Sequence, residues 1–135
     1  MKGLHIIGDM HHCAADEFLE SAGALRVLCV KACHEAGLTV LGEHFYQFKG
    51  ADATQIGGAT GAVILAESHL AIHTWPERGQ ATLDVYVCNV TIDNSAKAEQ
   101  LFQRMSDALR PTAIVIERVW RGKELPESPI AAIAA

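Results

Sequence analysis

The sequence has no apolar run approaching the roughly 20 residues that a helix needs to span a bilayer. It also lacks a basic cluster. The net charge is −5 over 135 residues, which argues against nucleic acid and anionic membranes as partners. The start, MKGLHIIGDMHH, reaches Asp9 after a short apolar stretch and lacks the longer apolar region of a secretory signal. We therefore expect a cytoplasmic protein that acts on a small molecule.

Common catalytic and metal-binding motifs are missing as well. The chain contains no GxSxG, GxGxxG, GKS, GKT, CxxC or HExxH, so serine hydrolases, phosphate-binding loops and zinc sites lose their usual sequence support. The four cysteines, at 13, 29, 33 and 88, do not have the spacing of a disulfide framework. Cys29, Cys33 and the HHC at 11–13 offer metal ligands, but the helical spacing of the two thiols favours a place in the core. We expect no metal.

The residues that are present can build one core, since half of them are hydrophobic and a fifth are charged. Their periodicity predicts the order β-α-β-β-β-β-α-β. The predicted strands cover 3–9, 38–48, 60–66, 69–75, 81–88 and 112–119, and the predicted helices cover 16–36 and about 94–110. Because most strands follow one another directly, we expect a single α+β domain over 1–135, a two-layer sandwich with an antiparallel sheet and two helices on one face.

Three further expectations concern the loops and the second face of this sheet. Residues 49–59 are rich in glycine and polar residues and are expected to form a loop. The tail PESPIAAIAA is expected to be irregular and to fray. In so small a domain the sheet face without helices needs a cover, so we expect a homodimer, with a larger assembly left open.

The stretch LAESHLAIHTWPE, from Leu65 to Glu77, is the most unusual part of the chain, because a strongly apolar strand ends on Glu-Ser-His. A serine at such a place often only caps a turn. A thiol hydrolase using Cys88 and His73 is a second interpretation. In a third, Ser68 attacks the preceding peptide carbonyl where the backbone is strained, the chain is cut by β-elimination, and a pyruvoyl group results.

The third interpretation is supported by a resemblance. ESHLAIHTWPE followed by LDVYVC, together with GLHIIGD, HFYQF, TGAVILA and ERVWRG, resembles the bacterial and archaeal S-adenosylmethionine decarboxylases. These are small enzymes made as self-cleaving proenzymes. The resemblance implies cleavage between Glu67 and Ser68, into chains 1–67 and 68–135, and a covalent pyruvoyl cofactor derived from Ser68. It implies a decarboxylase of polyamine biosynthesis whose ketone forms a Schiff base with the substrate amine.

The resemblance also implies roles for individual side chains. His73 and Thr60 would assist the self-cleavage, and Cys88 would protonate the product carbon. The expected substrate-binding residues are Glu77, which would hold the ribose hydroxyls, with Phe48 and Asp9.

The match has departures that bear on the substrate. Leu4 stands where relatives usually have arginine, Met10 and His11 stand where they usually have aromatic residues, and residues 49–59 replace a shorter turn. Loss of aromatic residues weakens the prediction of adenine binding. S-adenosylmethionine is the expected substrate, and the alternatives are L-ornithine or L-arginine on the same scaffold, or a regulatory partner without decarboxylase activity.

Overall fold

The computed structural model describes residues 1–125, so the predicted irregular tail lies outside the described residues. Six strands form one sheet in the order β2-β3-β4-β5-β1-β6, and every neighbouring pair is antiparallel. The strands are β1 (Gly3–His11), β2 (Val40–Lys49), β3 (Ile56–Leu65), β4 (Ser68–Trp75), β5 (Gln80–Cys88) and β6 (Ala113–Arg121). The helices are α1 (Asp16–Leu19), α2 (Ala22–Glu35) and α3 (Ser95–Leu109). The predicted α+β two-layer sandwich is confirmed.

One face of the sheet carries the core. Along β4 and β5 alternate side chains are buried, which is the period-two pattern of a strand with one covered face. The cover is α2 and α3, and the predicted stripe of α3 is buried as expected: Ala98, Leu101, Phe102, Met105, Ala108 and Leu109.

The predicted helix over 16–36 is wrong in one respect, because it is broken into α1 and α2. Ser21 adopts an extended conformation, with φ −131° and ψ 109°, and its hydroxyl accepts a hydrogen bond from the Ala24 amide. Another amide in the first turn of α2, that of Ala22, donates a hydrogen bond to Oε1 of Gln47 on β2. The serine cap and the contact with the distant Gln47 therefore start a new helix here, although the apolar periodicity of the sequence continues without a break.

The predicted loop over 49–59 is also too long, because β3 begins at Ile56 rather than at Thr60. Gly57 approaches the Phe48 backbone and Gly58 approaches the Thr74 backbone so closely that a β-carbon would overlap the carbonyl oxygens. Glycine permits these contacts and lets the strand continue.

The second sheet face, called the open face below, is not covered by any helix within residues 1–125. Its exposed members include Tyr46, Ile64 and Val115, which are 57%, 51% and 60% exposed. Strand register orders its side chains in rows that run across the sheet, one of which is Ile64, His69, Tyr86, His5 and Val119. None of the described helices is long and apolar enough to pass through a membrane.

Candidate active site

The turn between β3 and β4 contains the predicted cleavage bond. Leu65 pairs with Ser68, so only Ala66 and Glu67 lie between the two strands. Glu67 has a φ of 59°, in the left-handed region that costs a residue with a β-carbon about 1–2 kcal/mol. The backbone is therefore strained at the residue whose carbonyl precedes Ser68.

Ser68 and Cys88, predicted to carry the chemistry, lie together at this end of the sheet. The Ser68 hydroxyl accepts a hydrogen bond of 3.2 Å from the Cys88 amide. Both side chains are almost completely buried, at 8% and 7% exposure. The antiparallel pairing of β4 with β5 brings the start of one strand against the end of the other. The backbone of Cys88 and the hydroxyl of Ser68 are therefore in direct contact.

Thr60 and His73, predicted to assist the cleavage, lie together at the other end of the hairpin. They are direct partners across β3 and β4, and Thr60 Oγ1 lies 3.0 Å from His73 Nδ1. His73 is five residues from Ser68 along an extended strand, a distance of about 16 Å. An odd separation also places the two side chains on opposite faces. Within one chain the structure does not bring this pair to Ser68.

The predicted substrate-binding residues lie beside Thr60 and His73 rather than beside Ser68. A cavity of about 400 Å³ is lined by Phe48, His73, Trp75 and Glu77, among others. Asp9 lines an adjoining cavity of about 440 Å³ that shares Trp75 and Glu77. Trp75 was not among the predicted site residues, although its place between His73 and Glu77 in HTWPE could have indicated it.

Several residues that the sequence did not single out lie on the open face at the end of the sheet where β4 begins. A cavity of about 550 Å³ is lined by Glu67, Ser68, His69, Tyr86 and Arg121, among others. The His69 and Tyr86 rings are stacked, with centroids 5.5 Å apart. The guanidinium carbon of Arg121 lies 5.6 Å from the centre of the Tyr86 ring. The alternation of β4 and β5 could have placed His69 and Tyr86 on this face, but Arg121 is brought there by strand order alone.

His5 completes this group from the neighbouring strand, with its ring 6.0 Å from that of His69. Within the described residues its Nε2 is buried and has no hydrogen-bond partner. Burial lowers the pKa of His5, an effect that the nearby Asp84 opposes and that His69 and Arg121 reinforce. This imidazole is therefore biased toward its neutral form.

The remaining thiols behave as core residues. Cys29 and Cys33 are fully buried in α2, and burial raises the pKa of both thiols, that of Cys33 to about 12. Burial also raises the pKa of Cys13. Within residues 1–125 no group of three or more histidine, cysteine or acidic side chains is arranged to hold a metal ion.

Comparison with known proteins identifies the family. The family model of S-adenosylmethionine decarboxylase matches residues 4–122. The S-adenosylmethionine decarboxylase proenzyme of Picrophilus torridus is 34% identical over 125 residues, which are 93% of this chain and 88% of that protein. The proenzyme of Aquifex aeolicus is 41% identical over 112 residues, 83% of this chain and 75% of that protein.

A solved structure gives the same result. The crystal structure of the adenosylmethionine decarboxylase from Aquifex aeolicus superposes with a TM-score of 0.78 and 38% identity, and the match covers 93% of this chain and 95% of that one. The chain belongs to the S-adenosylmethionine decarboxylase family.

Proposed function

We propose that this protein is a pyruvoyl-dependent S-adenosylmethionine decarboxylase of polyamine biosynthesis. Its single domain is made as a proenzyme that cuts itself between Glu67 and Ser68, giving chains 1–67 and 68–135 with the pyruvoyl group on the second. The observation that carries the proposal is the left-handed backbone of Glu67, at φ 59°, directly before a buried serine. Its relatives carry the word proenzyme in their names.

The self-cleavage uses atoms of the chain itself. The Ser68 hydroxyl attacks the Glu67 carbonyl carbon, and the peptide bond is exchanged for an ester. Release of the strain at Glu67 offsets part of the cost of this exchange. A base then removes the α-proton of Ser68, the Cβ–O bond breaks, and Glu67 leaves as a carboxylate. The resulting enamine tautomerises to an imine, and water hydrolyses its C=N bond, so ammonia is lost and a ketone is left on residue 68.

When formed, the pyruvoyl group supplies an electrophilic ketone that accepts the electron pair released as CO2 leaves. Cys88 is the residue proposed to return a proton to the product carbon. Its place supports this role, because its amide already donates to the Ser68 hydroxyl at 3.2 Å and its side chain is shielded from water.

The substrate is proposed to bind between aromatic side chains and a carboxylate. Phe48 and Trp75 are 49% and 39% exposed and border the same cavity as Glu77. Flat apolar faces suit an adenine ring, and a carboxylate suits a ribose diol or a cation. Asp9, which borders the adjoining cavity, is proposed to contribute a second carboxylate. L-ornithine and L-arginine lack the ring, and the names of the relatives favour S-adenosylmethionine.

The separation of the two groups of residues supports a homodimer. Thr60 and His73 lie about 16 Å along the strand from Ser68, and the open face has no helical cover within residues 1–125. We therefore propose that a second copy covers the open face and brings its own Thr60 and His73 to this Ser68. All four cysteines are free thiols, which suits the reducing cytoplasm proposed as the location.

Intact mass spectrometry tests the proposal most directly. The matured protein should divide into chains 1–67 and 68–135, the second with a ketone in place of its amino terminus, and Ser68→Ala should stay whole. Processed enzyme should release CO2 from carboxyl-labelled S-adenosylmethionine and not from labelled ornithine or arginine.

Cys88→Ser is the matched control, since it should divide normally yet lose about 100-fold or more in turnover. Activity in an undivided chain would refute the proposal. Release of CO2 from ornithine or arginine alone would correct the substrate, and no release from any of the three would favour a regulatory role.

A further inference from the structure

Arg121 is an unused cation beside the cleavage bond. It ends β6 and borders the same cavity as Glu67 and Ser68. Within residues 1–125, the five ion pairs use Arg26, Lys31, Arg104, Arg110 and Arg118 as their cations. The guanidinium of Arg121 thus borders the same cavity as Glu67 and has no carboxylate partner among residues 1–125.

The position of Arg121 is built by its neighbours in the sheet. In the register of β1, Gly3 faces Cys88 on one side and Arg121 on the other. A β-carbon on Gly3 would lie 3.0 Å from the Tyr86 hydroxyl, so glycine leaves room for the tyrosine to lie against β1. The guanidinium then stacks over this ring at 5.6 Å. It thereby reaches across β1 to β5, the strand beside Ser68.

The proposed self-cleavage creates a negative charge at the same place. In the ester, the bond from Glu67 runs to the side-chain oxygen of Ser68. When the α-proton is removed, its electron pair forms the Cα=Cβ bond and the Cβ–O pair departs with Glu67. The main-chain carbonyl group of Glu67 thereby becomes a C-terminal carboxylate. This group is new, and it is distinct from the side-chain carboxylate that Glu67 already has in the precursor. A cation beside the leaving oxygen stabilises that transition state more than the ester before it.

We propose that Arg121 stabilises the departing Glu67 carboxylate and so accelerates the elimination step of self-cleavage. This inference rests on the proposed function, because it assigns a residue to one step of the same processing. Arginine is suited to the role, since its planar fork can bind both oxygens of the new carboxylate.

Arg121→Gln tests the inference, with Arg121→Lys as the variant that keeps the charge. Arg118→Gln is the matched control, because Arg118 lies on the same strand but pairs with Glu99 of α3 at 2.6 Å. Each purified precursor is followed over time by intact mass, with and without hydroxylamine, which cuts an ester but not an amide. We expect the glutamine variant to divide at least tenfold more slowly and to accumulate a hydroxylamine-sensitive bond at 67/68.

The lysine variant should divide at a rate within about threefold of that of the natural protein. The Arg118→Gln variant should divide at the natural rate. Division of Arg121→Gln at the natural rate would overturn the inference while leaving the proposed function in place. Slow division without the sensitive ester would overturn it too, since Arg121 would then support folding or the first step. A natural chain that never divides would refute the proposed function and, with it, this inference.

Discussion

Mixing two inactive variants should restore self-cleavage if the processing site is shared between two copies. Ser68→Ala removes the attacking hydroxyl, and His73→Ala removes the imidazole that pairs with Thr60 at 3.0 Å. Ser68 and His73 of one chain lie about 16 Å apart and on opposite faces of β4. In the proposed homodimer each Ser68 would therefore need the His73 of the other copy. Neither variant alone should divide.

The expected yield follows from the pairing of the two chains. If they associate at random, about half of the dimers are mixed, as for any two-fold assembly of equal components. A mixed dimer has one complete site, in which the intact Ser68 of the His73→Ala chain meets the intact His73 of the Ser68→Ala chain. About half of the His73→Ala chains should therefore divide, and none of the Ser68→Ala chains.

The assay is co-expression with two different tags, followed by intact mass of each tagged chain and by capture of mixed dimers through both tags. The control pairs His73→Ala with a double variant lacking both Ser68 and His73, which should leave every chain whole. Division of His73→Ala on its own would refute the role of His73. Mixed dimers that are captured but remain undivided would refute the shared site.

Three other substitutions test the strain, the thiols and the core. Glu67→Gly should relieve the strain of the left-handed backbone at φ 59°. The free energy of unfolding of the precursor should rise by about 1 kcal/mol, and self-cleavage should slow about fivefold. Equal rates of self-cleavage in a time course would show that this strain does not contribute. Burial raises the pKa of Cys29 and Cys33 above the ordinary 9.0, and that of Cys33 reaches about 12. The thiols therefore lose their protons at lower pH in the unfolded chain than in the folded one. The free energy of unfolding should fall as pH rises above 9, by about 1.4 kcal/mol per pH unit for each thiol. Denaturant unfolding from pH 8 to 11 measures the slope, and replacing both residues by alanine should flatten it; an unchanged slope would contradict the assignment. Gly8→Ala should lower the free energy of unfolding by about 1–3 kcal/mol in the same assay, because the added β-carbon would overlap the Phe102 ring. Adding Phe102→Leu should recover part of that loss. A Gly8→Ala protein of unchanged stability would show that α3 can shift.

The general form of this protein follows from local patterns. The alternation of Leu83, Val85 and Val87 predicted a strand with one buried face, and the stripe from Ala98 to Leu109 predicted a helix lying on it. Such patterns are local, because each depends on the angle between successive side chains and on which of them leave water. They are sufficient for an α+β sandwich, whereas the chemistry was predicted from the resemblance of ESHLAIHTWPE and its flanking motifs to a family.

Local patterns were not sufficient where a distant partner decided the outcome. The break before α2 depends partly on Gln47, which is 25 positions from Ala22 and accepts its amide proton. The early start of β3 depends on close packing of Gly57 and Gly58 against the backbones of Phe48 and Thr74, where a β-carbon would not fit. Gln47 and Thr74 both lie outside a local sequence window around the boundary that they help to set.

The composition of the site is the clearest case. The general fold was determined by the sequence itself, and its resemblance to the family predicted that Ser68, Cys88, Thr60 and His73 belong to one chemistry. Only the tertiary structure decided that the Cys88 amide lies against the Ser68 hydroxyl whereas His73 lies at the far end of the hairpin, and that Arg121 borders the same cavity as Glu67 and Ser68. The physical reason is that side-chain alternation is set within one strand, whereas the order β4-β5-β1-β6 is set by pairings between segments far apart in the chain.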